Sequence, residues 1–358
     1  MNMEARIARL RALLSENLVD ALLVTKEENV HYFSGFCGDS TALLVTPERL
    51  LLVTDSRYTE QAAVQAPLYE VVEQRDGLYG KAAELAADAG VVSLAFEGGA
   101  LVYIKVIWLR ERLGEISFDT PLNLDLLRQV KDADEIALIR RACKIADEGF
   151  AHILSYIQPG MTEMEVAAEL EHHMRMLGSE RPAFQTIIAS GIRGSLPHGV
   201  ASDKTIARGD LVTMDFGAVC AGYHSDITRT ICVGHADARQ RELYDAVLTA
   251  QKRALTALRP GVTGIEVDRV ARDYLAEHNL NQYFGHGLGH SLGLEIHEEP
   301  RLSKAGKDVL QPNMLITDEP GVYIPSWGGI RIEDTVLITA DGSEALTHAS
   351  KEFIEICT

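Results

Sequence analysis

Positive charge is in short supply in this sequence: 34 Lys and Arg stand against 52 Asp and Glu, a formal net charge of −18 at pH 7. Binding a nucleic-acid backbone needs clustered cations, so this balance argues against nucleic acid as a partner. Cysteine is also scarce. The five present (Cys37, Cys143, Cys220, Cys232, Cys357) are scattered, odd in number and without a CxxC pair, which suits a reducing compartment better than a disulfide framework. Long apolar runs are missing too. TALLVT and RLLLVT are strand-sized, far short of the roughly 18–20 residues of a membrane span. The opening MNMEARIARLRALLSE is charged throughout and reads as an amphipathic helix, not a secretory leader. Together these point to a cytoplasmic protein. No HExxH occurs, and no cysteine has a catalytic setting, so neither a cysteine triad nor a zinc-protease helix is available.

What the sequence does contain is apolar patterning for a sizeable core, with hydrophobic residues at 46% of 358. Up to about residue 120, strand-like runs (Ala21–Thr25, Thr41–Thr46, Leu50–Thr54, Tyr69–Val72, Val92–Phe96) alternate with helical stretches near 3–17, 56–65, 78–89 and 100–113. Such alternation predicts an α/β domain over residues 1–122. A proline-bearing polar stretch without clear period, DTPLNLDLLRQVKDADE, reads as the connection, with a linker at 123–132 and a second domain at 133–358. The second domain opens with helices, turns strand-rich, and repeats itself. QPGMTEMEV (158–166) matches RPGVTGIEV (259–267), the PG pairs lying 101 residues apart (260 less 159). Each copy follows a long helical pattern (Asp134–Tyr156, Arg239–Leu258) and opens another helix with a T-x-x-E capping box, Thr162 with Glu165 and Thr263 with Glu266. A period this long suits a duplicated α+β half around a pseudo-twofold axis, with a site at the seam.

Five segments place acidic residues or histidines where strand physics alone does not ask for them. In DLVTMDFGAVCAGYHSDITRTICV the pattern predicts a β-hairpin. With the turn centred on Cys220–Ala221, residues whose numbers add to 441 lie opposite, so Asp215 and Asp226 become cross-strand neighbours about 5 Å apart. Like charges in that position are destabilising, and a divalent cation is the simplest compensation. In YFGHGLGHSLGLEIHEEP, His286 and His290 lie four apart, but Gly285, Gly287 and Gly289 make a helix improbable. Glycine at that density instead allows close backbone approach. NMLITDEPGVYIP and GGIRIEDTVLIT each read as strands with paired acids, Asp318–Glu319 and Glu333–Asp334, of which one per pair can face inward. Four carboxylates with one imidazole form an oxygen-rich site that would balance two divalent ions and favour Mn²⁺, with Co²⁺ or Zn²⁺ as alternatives.

These segments resemble the pita-bread metallopeptidases: methionine aminopeptidase, Xaa-Pro aminopeptidase and Xaa-Pro dipeptidase (prolidase). The resemblance rests on LPHG (196–199), DFG (215–217), SDITRT (225–230), HGLGHSLG (286–293), EPG (319–321) and RIED (331–334), with DSRYTEQA (55–62) resembling the creatinase/prolidase-type N-terminal domain. It implies an α/β N-terminal domain followed by an α+β pita-bread domain with an internal pseudo-twofold repeat. It also implies two metals. Asp226 and Glu333 would bridge them, Asp215 would complete one, and His290 with Glu319 would complete the other. His198, His286 and His297 would line the active site, with Arg331 beside it; His224 reads as structural. Asp318 departs from the family, which usually has an apolar residue before EPG. Strand alternation should turn it away from the metals, so it needs its own partner or water.

The chemistry then expected is peptide hydrolysis by a hydroxide bridging the metals, since coordination can bring a water pKa from 15.7 to about 7. Glu319 would shuttle the proton and His297 or His198 would stabilise the developing oxyanion. The added N-terminal domain favours the proline-specific members: an Xaa-Pro aminopeptidase acting on short peptides with proline second, or, as the alternative, an Xaa-Pro dipeptidase. Family precedent implies a homodimer. The same fold hosts the metal-independent creatine amidinohydrolase and binding proteins that have lost catalysis. Retention of all five ligands argues against both.

Overall fold

The computed structural model describes residues 2–357; Met1 and Thr358, the outermost residues of the two expected domains, lie outside the described residues. The chain divides into two compact units, Met1–Arg128 and Gln129–Thr358.

The first unit runs α1 (Met3–Glu16), β1 (Ala21–Val24), α2 (Glu27–Ser34), β2 (Ala42–Val45), β3 (Leu50–Thr54), α3 (Thr59–Gln65), β4 (Glu70–Glu73), α4 (Leu78–Asp88), β5 (Leu94–Glu97), α5 (Tyr103–Leu113) and β6 (Pro121–Leu122). Its strands form one mixed sheet in the order β4-β3-β2-β1-β5-β6, with β1, β5 and β6 parallel. The apolar runs ALLV of β1 and β2 are buried along their whole length, as expected of strands covered on both faces. Ala82, Ala86, Val106 and Leu109 of α4 and α5 pack on Leu23, Leu44 and Leu51. Helix α2 has no counterpart in the sequence reading. Its eight residues carry four aromatic or β-branched or amide side chains with low helix propensity. It is fixed instead by Glu97, which accepts hydrogen bonds from the Thr25 and Lys26 backbone N–H groups and from the Asn29 amide at its start.

The second unit begins with two long helices, α6 (Ala133–Tyr156) and α7 (Glu163–Met176), followed by β7 (Ile187–Ser190), β8 (Asp210–Phe216), β9 (Val219–Cys220), β10 (Tyr223–His224) and β11 (Ile227–Val233). A second pair, α8 (Ala238–Ala257) and α9 (Gly264–Glu277), precedes β12 (Gly289–Ser291), β13 (Glu298–Leu302), β14 (Leu315–Asp318), β15 (Gly321–Ile324), β16 (Gly328–Arg331), β17 (Asp334–Ile338), β18 (Ser343–Ala345) and β19 (Glu355–Ile356). The repeat read from the sequence is a repeat in space. Helices α7 and α9 start 101 residues apart (264 less 163), both behind complete capping boxes. In each copy the PG turn makes the same backbone ties: Gly160 N donates to Ile206 O as Gly261 N does to Leu310 O, and Ile206 N to Met161 O as Leu310 N does to Val262 O. Each helix pair covers its own apolar cluster, one built around Phe150, Leu170, Met214 and Ile231, the other around Val247, Leu275, Ile316 and Val336. Among the described residues no helix is long and apolar enough to cross a membrane.

Candidate metal centre

The hairpin of β8 to β11 supplies the first two carboxylates, with a register that differs from the expected one. Asp215 lies opposite Thr228, not Asp226, and Cys220 pairs with Tyr223. The turn residues are Ala221 and Gly222, both at positive φ (48° and 81°), where expectation had centred the turn one residue earlier. A two-residue loop with both φ values positive matches strand twist, and glycine adopts that region without penalty, so Gly222 draws the turn towards itself. The resulting shift moves Asp226 two positions along its strand and therefore keeps it on the face of Asp215. The two become diagonal neighbours. One oxygen from each of Asp215, Asp226 and Glu333 lies within 4.8 Å of the other two.

The second half of the unit delivers the remaining groups. β12 must pass close to β14: a Cβ on Gly289 would sit 1.9 Å from the Thr317 carbonyl oxygen, so only glycine fits there. That approach sets His290 beside the carboxylates, its Nε2 3.3 Å from Glu319 Oε1 and 3.7 Å from Asp226 Oδ2. Alternation works as expected at both acidic pairs. Glu319 is held at Oε1 by Thr317 Oγ1 (3.0 Å) and Glu333 by Thr228 Oγ1 (2.6 Å). Asp318 and Asp334 turn the opposite way, into a separate buried network. All five expected ligand residues thus converge.

Electrostatics at this cluster call for cations. Burial pushes the Asp226 carboxyl well above the ordinary aspartate range, and the charges of Glu333 and Asp215 add to it. Burial likewise raises Glu333, with Glu319 adding, and raises Glu319 to about 7 against the opposing charge of Arg331. His290 is held down to about 3, chiefly by desolvation. Its Nδ1 lies 3.0 Å from the Ser291 carbonyl, which assigns the proton there and leaves an Nε2 lone pair aimed at two carboxylates. A lone pair facing carboxylate oxygens is repulsive unless a proton or a metal cation lies between them. Asp215 Oδ1, Asp226 Oδ1 and Glu333 Oε1 are buried and have no hydrogen-bond partner. Three orphaned oxygens and one bare imidazole nitrogen are the donor set of a hard or borderline divalent ion, so the residues fit a metal centre.

The expected surrounding residues are nearby. His286 donates from Nδ1 to Gly287 O (2.7 Å) and accepts at Nε2 from the Tyr323 hydroxyl (2.9 Å). Desolvation and the Arg331 charge hold it down to about 4. Arg331 donates to Asp215 Oδ2 (2.5 Å), Tyr323 Oη (2.6 Å), Thr228 Oγ1 (3.0 Å) and Pro197 O (3.2 Å), so it touches both a cluster carboxylate and the loop bearing His198. The His297 ring stacks edge-on against His290 at 4.4 Å. His198 is exposed, on the loop whose Pro197 carbonyl accepts from Arg331. His224 is buried between Gly293 O and Arg181, away from the carboxylates. Sequence reading missed Tyr323, Thr228, Thr317 and Gln251. Each is an uncharged side chain inside a strand or helix, and only its contact with a charged neighbour marks it.

A buried, carboxylate-rich cluster on a duplicated α+β scaffold defines a metal-dependent hydrolase, and known proteins agree. Metallopeptidase family M24 matches residues 137–340 and the Creatinase/Prolidase N-terminal domain matches residues 6–130, and the chain belongs to that metallopeptidase family. An Xaa-Pro dipeptidase of Pyrococcus furiosus is 43% identical, over 98% of this chain and 100% of its own. The solved structure of an Xaa-Pro dipeptidase from Bacillus anthracis superposes with a TM-score of 0.95 at 42% identity, covering 99% of this chain and 100% of that one. An X-Pro aminopeptidase from Thermotoga maritima superposes with a TM-score of 0.90 at 37% identity, covering 98% and 99%. The fold is that of the pita-bread peptidases, and its chemistry is metal-dependent hydrolysis.

Proposed function

We propose that this chain hydrolyses the bond between an N-terminal residue and a following proline, using two divalent ions, Mn²⁺ foremost, with Xaa-Pro dipeptides as its main substrates. The observation that carries the metal reading is the His290 Nε2 lone pair facing Glu319 and Asp226 amid three orphaned carboxylate oxygens. Asp215, Asp226, His290, Glu319 and Glu333 would hold the ions, and four carboxylates would balance two divalent ions. Preference for the dipeptide rests on relatives of 42–43% identity over nearly full length that bear the dipeptidase name. The Thermotoga structure keeps the aminopeptidase, acting on longer peptides, as the second reading.

Bound divalent ions would supply Lewis acidity and a water acidic enough to ionise near neutral pH. The chain's own groups do the rest. Glu319, held in place by Thr317, takes a proton from the attacking water and returns it to the proline nitrogen as that nitrogen leaves. Arg331 fixes Asp215 and leaves its oxygen Oδ1 turned inward. His198 and His297, on separate loops, offer N–H donors to the carbonyl oxygen as charge builds on it. Tyr323 and Arg331 hold His286 as a neutral imidazole whose orientation is set at both nitrogens. Two copies of the chain form the working assembly.

The deciding assay uses Mn²⁺-supplemented protein with Xaa-Pro, Xaa-Pro-Xaa and Xaa-Ala peptides of the same first residue. Free proline should appear fastest from the dipeptide. Faster cleavage of the tripeptide would favour the aminopeptidase, and preference for Xaa-Ala would sink the proline reading.

A further inference from the structure

Behind the metal cluster, on the opposite face of β14 and β17, lies a second pair of acids. Asp318 and Asp334 are register partners and both are fully buried. Asp334 is richly supplied: Arg229 donates to Oδ1 (2.8 Å), Thr347 Oγ1 to the same oxygen (2.9 Å), and Lys351 pairs with Oδ2. Among the described residues Asp318 has a single donor, the Gln251 amide of α8, at 3.1 Å. The same nitrogen donates to Asp334 Oδ2 at 3.0 Å. One NH₂ group, on a fully buried side chain, therefore bridges the two acids across the sheet.

The place of this bridge matters. The β14–β17 ladder ends on the rung Asp318–Asp334, and the β15–β16 ladder begins on the rung Gly321–Arg331. Glu319 and Glu333 stand in the gap between the two ladders. Their backbone N–H groups leave the pair altogether, Glu319 to Leu288 O (2.8 Å) and Glu333 to Thr228 O (3.1 Å). Among the described residues one backbone bond crosses the gap, Ile332 N–H to Pro320 O, and it is long at 3.4 Å, so the firmer spacing beside the two glutamates is the Asp318–Asp334 rung, whose side chains Gln251 ties together.

We infer that Gln251 and Asp318 form a strap that sets the separation of Glu319 and Glu333 and thereby the affinity of the centre for its ions. They are positioning residues. They touch neither ion nor substrate, and the inference rests on the metal-centre reading above. Groups behind a metal's ligands typically alter affinity by about 10–100-fold when removed.

Calorimetric titration of chelator-stripped protein with Mn²⁺, with circular dichroism as the check on folding, tests the strap. Gln251→Leu should fold and bind Mn²⁺ at least about tenfold more weakly. Asp318→Asn keeps an acceptor for the Gln251 amide and should stay within about twofold of wild type. A folded Gln251→Leu with wild-type affinity would overturn the strap, as would an Asp318→Asn as weak as Gln251→Leu, because charge would then be the cause. Should Gln251→Leu fail to fold, Asp318→Leu decides, since it breaks the strap without stranding a carboxylate. Tenfold weaker binding supports the strap, and wild-type binding overturns it. A wild-type protein that takes up no Mn²⁺ fails the metal reading instead, and is told apart by that.

Discussion

Replacing Glu319 by Gln removes a charge and keeps a shape, so with Mn²⁺ at saturation this one residue tests the proton chemistry. In the Mn²⁺-loaded enzyme, Glu319→Gln should lower kcat by about 10²–10⁴, the usual span of a general acid–base contribution. A loss under about tenfold would count against the shuttle. Without metal the same change should act the other way on stability. The folded-state value of about 7 lies above the ordinary 4.5, so the metal-free fold holds this proton more tightly than the unfolded chain does. That contribution is complete below pH ~4.5 and is lost as the pH rises through about 7. Gln stays neutral throughout. Metal-stripped Glu319→Gln should therefore melt higher than wild type at about pH 8, by up to about 3 kcal/mol, and match it near pH 4.5. Parallel melting curves across that range would show that burial leaves Glu319 unperturbed.

At the scale of elements, the turn between β9 and β10 sets the register of two ligands and is itself strained. Ala221 holds φ at 48°, a region that costs a residue with a Cβ roughly 1–2 kcal/mol, whereas Asn tolerates it and Asn-Gly is the favoured pair for such a turn. Ala221→Asn should raise stability by roughly 1 kcal/mol in thermal melts with no change in Mn²⁺ affinity. A lower Tm would mean that its neighbours depend on the alanine methyl. This turn also marks the limit of what patterning reveals. Alternation in β8 and β11 was legible and placed both aspartates on one face, but the turn centre depends on backbone φ, which Ala-Gly signals more weakly than Asn-Gly. Helix α2 was illegible for a related reason: its start is held by Glu97, about seventy residues away in sequence, and no local pattern encodes that. The capping boxes at Thr162 and Thr263 were legible because both partners lie three residues apart. The same contrast governs the site. Asp318 was visible as an oddity, but its partner Gln251 is an unremarkable residue of a long helix, and only the fold brings them together.

For the whole molecule, the ion-binding groups are distributed so that loading must be felt unevenly. Every proposed ligand residue lies in Gln129–Thr358, on β8, just before β11, on β12, after β14 and before β17. Strands from both halves of the duplicated unit meet there, and in the metal-free state burial makes ionising these acids together costly. An ion bound only by the folded state stabilises it by about 2.7 kcal/mol at a hundred times Kd. For a unit of this size that is roughly 5–10 °C in Tm. The added protection should follow the ligands. In hydrogen-exchange mass spectrometry, Mn²⁺ should slow exchange in peptides from residues 210–233, 287–302 and 314–338. The β1–β5 sheet of the first unit holds no ligand and should exchange at an unchanged rate. Slowing spread evenly over both units would indicate that the ion acts on the fold as a whole. No slowing in 287–302 would count against His290 as a ligand, because an ion held by that imidazole would add a tie to those that already join β12 to Thr317 and Glu319.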